Sequence, residues 1–362
     1  MISSQHTTNI GSHESVVLYP SVGHLDEDRR HWRLWIQGSV FEPGDANLRK
    51  RLLIQLLRRV MDVDTAQLQS AVFQDRIRGF LAETARGKRV QLRFAGKTYR
   101  LPKKSKKNGQ FSGVLTIPHE QLQASIQGGS PGLAGMVGDQ HLVMQVALGE
   151  GDCRDICGKF HLLHPEGWSV ISDIDDTIKQ SSVYSRRDLL ANTFLREFRQ
   201  VDGMTDVYNR WAADGASFHY VSSSPWQLYS PLADFQDEFF PDGSFHLRSF
   251  RLRDHMLRRL LLRRPGKSVV IRRLVNALPE RRFVLIGDSG EKDLEIYARV
   301  ARRFPDQVRK IMIRELPSRP LTTARLEKTM KGVPAEKLLI FRDADELPLQ
   351  MNPILDDQLA VT

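Results

Sequence analysis

The sequence lacks several features that would place the protein in a membrane or in an oxidising compartment. It contains no run of about 18 apolar residues, so no transmembrane helix is expected. Its N-terminus has neither the charged region nor the apolar core of a secretory signal. The 362 residues include only two cysteines, Cys153 and Cys157. Without a second pair or nearby histidines they do not predict a zinc site, and a reducing, cytoplasmic compartment fits best.

Internal repeats, low-complexity tracts and signatures of nucleic-acid-binding modules are also missing, so no specific nucleic-acid partner is expected. Positive charge, in contrast, is abundant. Lysine and arginine together number 53 against 43 acidic residues, which gives a net charge of +10. Such a chain attracts anions, whether nucleic acid, anionic lipid surfaces or phosphorylated substrates, and charge alone does not distinguish among them.

The length of the chain predicts two domains. In the first half, apart from a pair of predicted helices, apolar and polar residues alternate with the period of two that is typical of β-strands. In the second half, predicted strands and helices alternate. Alternation of the second kind predicts an α/β domain with a doubly wound parallel sheet of the Rossmann type. We therefore expect a flexible leader, a smaller β-rich accessory domain with a helical insertion, the α/β domain and a C-terminal extension (1–14, 15–164, 165–316 and 317–362).

Three long helices are predicted from the spacing of apolar residues. They cover Leu48 to Val60, Ala66 to Ala85, and Asn192 to Trp211. The first helix has arginines opposite its apolar face. A basic amphipathic helix of this kind can lie on a membrane, although docking on its own domain is the more common outcome.

The residues that could carry out chemistry or bind a metal follow three predicted strands. Asp173 and Asp175 follow the first strand, and Asp288 follows the third. Side chains alternate along extended backbone, so Asp173 and Asp175 begin on one side of the chain. Two such carboxylates repel each other and are costly to desolvate, which a divalent cation would offset. The alternative is a solvated acidic loop or a helix cap that includes Thr177.

The strand ends share one edge of a parallel sheet, where ligands bind. A carboxylate there can attack phosphorus, and a second carboxylic acid can protonate the leaving alkoxide and later activate water. Mg²⁺ prefers carboxylate oxygens, retained waters and a substrate phosphate, which suits Asp173 and Asp288. Ser222, after the second strand, and Lys267 can hold the non-bridging phosphoryl oxygens.

Together these residues resemble the four motifs of the haloacid dehalogenase superfamily of aspartate-nucleophile phosphohydrolases. Within it, residues 160 to 315 are similar to the catalytic domain of the actin-patch type phosphatidate phosphatases and their bacterial relatives. The β-rich half resembles the extra domain of the bacterial members less specifically. The stretches that carry the catalytic resemblance are Ser172-Asp-Ile-Asp-Asp-Thr-Ile-Lys179, Phe218-His-Tyr-Val-Ser-Ser-Ser-Pro-Trp-Gln-Leu-Tyr229, Leu247-Arg-Ser-Phe250 and Ile286-Gly-Asp-Ser-Gly-Glu-Lys-Asp293.

The resemblance implies Mg²⁺-dependent hydrolysis of phosphatidate to diacylglycerol and phosphate. It makes Asp173 the nucleophile and Asp175 the general acid and base, with its backbone carbonyl on the metal. The implied metal residues are Asp173, Asp175, Asp288 and Asp293, of which Asp293 is either a ligand or a group behind the ligands. The implied substrate contacts include Ser222, Lys267, Thr177 and Ser223. The cation could instead come from a neighbour of Lys267, namely Arg263, Arg264, Arg272 or Arg273. Asp176, where many superfamily members have glycine, is expected to point away from the metal and to support the turn. The alternative is that it is a further metal-binding carboxylate.

The sequence is compatible with three functions. A phospholipid at an anionic membrane surface would make the protein peripheral, and the seven arginines between residues 248 and 264 could then face the bilayer. Those arginines fit a solvated helix and loop equally well. The same chemistry could act on a soluble phosphomonoester or a phosphoprotein. The third alternative is a non-catalytic protein that binds anionic lipid or nucleic acid.

Overall fold

The computed structural model describes residues 8–44, 48–127, 133–134, 140–182, 185–248 and 266–351. These residues divide into two compact units. The first unit contains residues 8–44 and 80–164, and the second contains residues 48–79, 165–248 and 266–351. The helical segment 48–79, predicted as an insertion in the β-rich domain, thus clusters with the second unit.

The first unit is built on one β-rich sheet. Most of its strands pair antiparallel, but β2 and β10 pair in parallel. Strand β3 pairs along its length with β7, and its side chains Trp32, Leu34 and Ile36 enter the core because alternate residues share a face. The elements up to residue 163 are β1 Ser15–Leu18, β2 Ser21–Leu25, β3 His31–Glu42, α1 Leu48–Met61, α2 Thr65–Leu68, α3 Ala71–Leu81, β4 Glu83–Thr84, β5 Gln91–Phe94, β6 Lys97–Arg100, β7 Gln110–Pro118, α4 His119–Gln127, β8 Leu133–Ala134, β9 Gln140–Val146 and β10 Cys157–Leu163.

The second unit is mixed α/β with a six-stranded parallel sheet. Its elements are β11 Trp168–Ser172, α5 Arg186–Phe194, α6 Met204–Ala213, β12 Ser217–Pro225, α7 Tyr229–Phe239, β13 Gly243–Arg248, α8 Lys267–Ala277, β14 Arg282–Asp288, α9 Asp293–Arg303, β15 Val308–Arg314, α10 Thr323–Met330 and β16 Leu338–Phe341. Short 3-10 helices cover Trp226–Leu228, Ala335–Lys337 and Ala344–Glu346.

The strand order β13-β12-β11-β14-β15-β16 places the first strand of this unit in the middle of the sheet. After β11 the chain builds outward to β13, and then returns to the other side of β11 to form β14. The order therefore reverses between β11 and β14, and in parallel sheets this reversal opens a crevice at the carboxyl ends of the strands. The last strand, β16, pairs with β15, so the predicted boundary at residue 316 falls inside one sheet.

Two of the predicted helices are wrong in extent. The predicted helix from Asn192 to Trp211 is two helices, α5 and α6, because the segment between them pairs with the loop after β11. The Gln180 amide donates to the Arg199 carbonyl at 2.9 Å, and the Val201 amide donates to the Ile178 carbonyl at 2.8 Å. The predicted helix from Ala66 to Ala85 is also divided, into α2 and α3, where Ser70 Oγ accepts from the Phe73 amide.

Candidate active site

The parallel sheet brings the predicted site residues to one edge. Asp173 follows β11, Ser222 lies in the last part of β12, and Asp288 ends β14. Strands β12 and β14 both pair with β11, on opposite sides of it, so their carboxyl ends flank the carboxyl end of β11. Lys267 and Asp293 are the first residues of α8 and α9. All five residues are buried.

Lys267 is surrounded by carboxylates. Its Nζ lies 2.8 Å from Asp173 Oδ1, 2.9 Å from Glu291 Oε2 and 2.9 Å from Asp293 Oδ1. The ion pairs connect the loop after β11 with the segment between β14 and α9. One lysine in so basic a sequence carried little information, but the structure places this one at the centre of the site.

The site contains more negative than positive charge. Asp173, Asp288, Glu291 and Asp293 act on one another electrostatically, and among the described residues Lys267 is the cation that opposes them. Burial, followed by repulsion from neighbouring carboxylates, raises the pKa of Asp173 and of Asp288 well above the usual range, although Lys267 opposes the shift. Burial and Glu291 also raise the pKa of Asp293 against the effect of Lys267.

Several oxygens at this edge lack hydrogen-bond partners. They are Asp173 Oδ2, Asp288 Oδ2, Asp293 Oδ2 and Thr177 Oγ1, and all four are buried. A buried oxygen without a partner is costly, and here the carboxylates also repel each other. One oxygen from each of Asp173, Glu291 and Asp293 lies within 4.8 Å of the others, which suits a shared cation. These residues therefore fit a hard divalent metal ion that binds through oxygen.

Asp175 lies in a separate hydrogen-bonded set. Its Oδ1 is 2.8 Å from Lys179 Nζ and accepts from Ser181 Oγ at 2.7 Å. Its Oδ2 accepts from Ser224 Oγ at 2.7 Å and from Ser222 Oγ at 3.3 Å. Burial by itself raises the pKa of Asp175, but Lys179 and these hydrogen bonds outweigh it, so the pKa lies below its ordinary value. The two carboxylates of the motif thus have opposite electrostatic environments.

Asp176 supports the turn after Asp175. Its Oδ1 accepts from the amides of Ser181 and Ser182, each at 2.7 Å. Its φ of 56° lies in the left-handed region, which glycine adopts at least cost. The expectation that Asp176 supports the turn is therefore confirmed, and the left-handed conformation explains why glycine suits this position.

Gly287 provides the space that Asp293 occupies. A Cβ atom at residue 287 would lie 2.4 Å from Asp293 Oδ2, closer than real contacts allow. The Asp288 carboxylate is fixed beside it, because its Oδ1 accepts from the amides of Gly290 and Glu291 at 2.5 and 3.0 Å. The Gly-Asp pair is therefore a steric requirement of the site as well as a turn.

The sequence prediction missed four residues of the site. Glu291 contacts Lys267 and accepts from Ser223 Oγ at 3.1 Å, and it lies inside the stretch that had been singled out for Asp288 and Asp293. The Asp175 carboxylate forms an ion pair with Lys179 and accepts hydrogen bonds from Ser181 and Ser224. Lys179 and Ser224 also belonged to quoted motifs, but nothing in a single sequence shows which of several polar neighbours faces a given carboxylate.

The Lys179 ammonium group is supported from a distant part of the chain. It lies 4.6 Å from the centre of the Phe198 ring, and the Arg76 guanidinium lies 3.7 Å from the same ring centre. Arg76, on α3, is buried and donates to the carbonyl of Thr193 at 3.0 Å and to the carbonyl of Arg196. The helical segment 48–79 thus reaches Phe198, the residue whose ring contacts Lys179.

The arginine-rich segment 248–264 lies outside the described residues, apart from Arg248. None of the helices in the described part of the chain has the length and apolar character needed to cross a membrane.

The segment that contains this site is similar to known proteins. Residues 168–315 match the family model described as phosphatidate phosphatase APP1, catalytic domain. The resemblance to the catalytic domain of the phosphatidate phosphatases is confirmed for this segment. Phosphatidate phosphatase APP1 of Saccharomyces cerevisiae is 34% identical over 172 residues, which are 46% of this chain and 29% of the yeast protein. An uncharacterized protein of Schizosaccharomyces pombe is 33% identical over 162 residues, 43% of this chain and 26% of that protein. The matched region spans less than a third of either relative.

Solved structures are less similar. An uncharacterized protein from Listeria monocytogenes is 17% identical, with a TM-score of 0.35, over 50% of this chain and 95% of that one. A phosphoserine phosphohydrolase-like protein from Francisella tularensis is 13% identical, with a TM-score of 0.30, over 50% of this chain and 97% of that one. Both scores are too low to support an argument about fold or activity.

Proposed function

We propose that the protein is a metal-dependent phosphomonoester hydrolase with a doubly wound, haloacid dehalogenase-like domain, and that phosphatidate is its substrate. The observation that carries the proposal is the surplus of buried carboxylates around Asp173 and Lys267, at the reversal point of the parallel sheet. A site of this composition suits a reaction in which a cation and a phosphoryl group enter together.

In the first step, a carboxylate oxygen of Asp173 attacks phosphorus, and the bond from phosphorus to the leaving alkoxide breaks. This step forms an aspartyl phosphate. Lys267 attracts the phosphoryl oxygens. Ser222 lies at the same place, because its hydroxyl donates to Asp175, and it can donate to a phosphoryl oxygen instead. The unpartnered Thr177 hydroxyl can also donate to a phosphoryl oxygen.

Asp175 takes up a proton from water when the substrate binds, and the leaving alkoxide then takes that proton from the Asp175 carboxyl group. In the structure Lys179 holds Asp175 as an acceptor, and an approaching phosphoryl dianion would oppose that effect and raise the pKa of Asp175. In the second step, Asp175 removes a proton from water, whose oxygen attacks phosphorus and breaks the bond to Asp173. Phosphate leaves and the Asp173 carboxylate is restored.

Mg²⁺ is the proposed metal. Asp173, Asp288 and Asp293 would hold it together with the Asp175 backbone carbonyl, and Glu291 belongs to the same acidic group. When bound, the ion would neutralise charge on the carboxylates and on the phosphoryl oxygens. The three unpartnered carboxylate oxygens support this assignment.

Phosphatidate as substrate is supported by the family match of residues 168–315. The test is phosphate release, with Mg²⁺ present, from phosphatidate vesicles and from a soluble aryl phosphate. We expect release from both, and Asp173→Asn should lower it by about 10⁴-fold or more while the far-UV circular dichroism stays unchanged.

Three results would contradict parts of the proposal. Full activity of Asp173→Asn would exclude this nucleophile. Release from the aryl phosphate but not from vesicles would favour a soluble phosphomonoester or a phosphoprotein. No release from either substrate would favour a protein that only binds anionic lipid or nucleic acid.

A further inference from the structure

Helix α1 exposes leucines that its own unit does not cover. Its inward stripe, Leu53, Leu57 and Met61, is buried, as expected for a helix packed on its unit. Leu52 and Leu56 lie one turn apart on another side of the helix and are 57% and 38% exposed. They are two of the four large hydrophobic side chains that are exposed in the described part of the chain.

Positive charge surrounds these leucines. Arg51, Arg58 and Arg59 are exposed on the same helix. The sequence from residue 48 to residue 61 contains no acidic residue, so nothing within the helix neutralises them. Exposed leucines with flanking arginines form the pattern of a helix that lies in the interface of an anionic bilayer, with leucine in the acyl boundary and arginine at the headgroups.

The neighbouring helix extends the basic surface toward the site. Helix α1 packs against α5, whose first residues Arg186 and Arg187 are exposed. Arg187 is partly offset by Asp62, at 3.7 Å. Ser185 caps α5 and comes four residues after Ser181, which holds Asp175. Four residues span at most about 14 Å, so the start of α5 lies close to the proposed site.

We propose that the solvent face of α1, defined by Arg51, Leu52, Leu56, Arg58 and Arg59, docks on an anionic lipid bilayer. Arg187, at the start of α5, lies 3.7 Å from Asp62, the residue that follows α1, so docking of α1 would bring lipid headgroups near the site edge. Nucleic acid would use the arginines but gain little from leucines, and the leucines therefore favour a bilayer. The reason for docking, delivery of a lipid substrate, rests on the proposed function. The binding test itself does not require activity.

The test is co-sedimentation of the full chain with phosphatidylglycerol–phosphatidylcholine vesicles and with pure phosphatidylcholine vesicles. We expect binding to the anionic vesicles only. The paired change Leu52→Gln and Leu56→Gln should weaken it by about tenfold or more, and the paired change Arg58→Gln and Arg59→Gln should weaken it and reduce its salt dependence. The matched controls are Leu349→Gln, at another exposed leucine, and Arg303→Gln, at the opposite end of α9 from the site residue Asp293.

Activity on the soluble aryl phosphate should be unchanged in all these variants, because none of the substituted residues contacts the site. Anionic-vesicle binding that survives the leucine changes, or that is absent in the unaltered chain, would overturn the inference. Loss of self-association instead of vesicle binding would identify a second copy as the occupant. Equal competition by nucleic acid, with the leucine variants unaffected, would identify nucleic acid. Failure of the phosphatase assay alone would contradict the proposed function and leave the docking face intact.

Discussion

The β-rich unit and the parallel-sheet unit each bury a carboxylate beside a lysine, but only one of these arrangements is balanced. Glu14, in the β-rich unit, is fully buried, lies 2.6 Å from Lys88 Nζ and accepts from the Gly11 amide at 2.7 Å. Asp173, in the parallel-sheet unit, shares Lys267 with Glu291 and Asp293, and Asp288 adds a fourth carboxylate.

The difference separates a structural ion pair from a candidate binding site. The Glu14 carboxylate has one ammonium group and one amide as partners. His13 and Glu42 lie near it, but both are solvent-accessible and contact each other at 3.5 Å, so the Glu14 pair can stabilise local structure by itself. Four buried carboxylates with one ammonium group need additional positive charge or protons. Variants of the two sites should therefore respond differently.

Removal of each lysine should have the largest effect. Lys267→Met should lower the free energy of unfolding by about 3–5 kcal/mol, because it leaves buried carboxylates without their cation. It should also lower aryl phosphate hydrolysis by at least about a hundredfold. Urea denaturation and steady-state kinetics measure the two effects.

Lys88→Met is the matched control in the β-rich unit. Its cost should be near the lower end of the same range, about 3 kcal/mol, since Lys88 is partly exposed and water can reach the site. Its kcat on the aryl phosphate should match that of the unaltered chain. A large loss of kcat in Lys88→Met would show that the first unit also takes part in the chemistry.

Gly287→Ala should have an intermediate effect. The new Cβ would displace the Asp293 carboxylate, which lies 2.4 Å from its position, at a cost of about 1–3 kcal/mol. We expect hydrolysis to fall by about tenfold to a hundredfold, because Asp293 also contacts Lys267. Gly149→Ala is the control, since a Cβ there would meet nothing within 4 Å. If both variants kept full activity, the position of Asp293 would not matter for the reaction.

The smallest effect is a difference in how stability depends on pH. In chelator, the raised pKa values of Asp173, Asp288 and Asp293 mean that the folded chain binds protons that the unfolded chain has released. The free energy of unfolding should therefore fall as pH rises from about 4 through those raised values, by up to about 1.4 kcal/mol per pH unit for each group that titrates.

Asp173→Asn should make this fall less steep by removing one of the groups. Asp175 has the opposite shift, so its contribution is present above its unfolded pKa and is lost only in more acidic solution. Denaturation between pH 5 and pH 8 therefore isolates the cluster. Identical slopes for the two proteins would mean that Asp173 does not titrate in this range.

Much of the second unit could be predicted because its strands are short, continuous apolar runs. Strands β11, β12, β14 and β15 lie close to runs that the sequence predicts as strands, which are Trp168 to Ile171, Ser217 to Val221, Phe283 to Ile286 and Val308 to Ile313. Strand β13 was missed, since Gly243–Arg248 mixes polar and apolar residues. The break between α5 and α6 was missed for a different reason, because the intervening residues pair with a loop about twenty positions away.

In the site, too, the sequence predicts features that depend on local pattern, and it does not predict contacts that form only in the folded chain. Asp173, Ser222 and Asp288 were found because strand ends meet at one edge. The contact between Glu291 and Lys267, and that between Lys179 and Asp175, depend on helix starts and turns that bring side chains together only in the folded chain. The grouping of residues 48–79 with the second unit also has no signal in local periodicity.

The central claim is that the surplus charge around Asp173 is the binding site of a divalent cation. Thermal unfolding of the chelator-treated chain, with and without millimolar Mg²⁺, tests it without any substrate. We expect Mg²⁺ to raise the Tm of the unaltered chain by several degrees, since a ligand that binds the folded state stabilises it. The shift should be lost in Asp288→Asn and kept in Lys88→Met. An equal Tm shift in Asp288→Asn, or no shift in the unaltered chain with Mg²⁺, Mn²⁺ or Ca²⁺, would contradict the account.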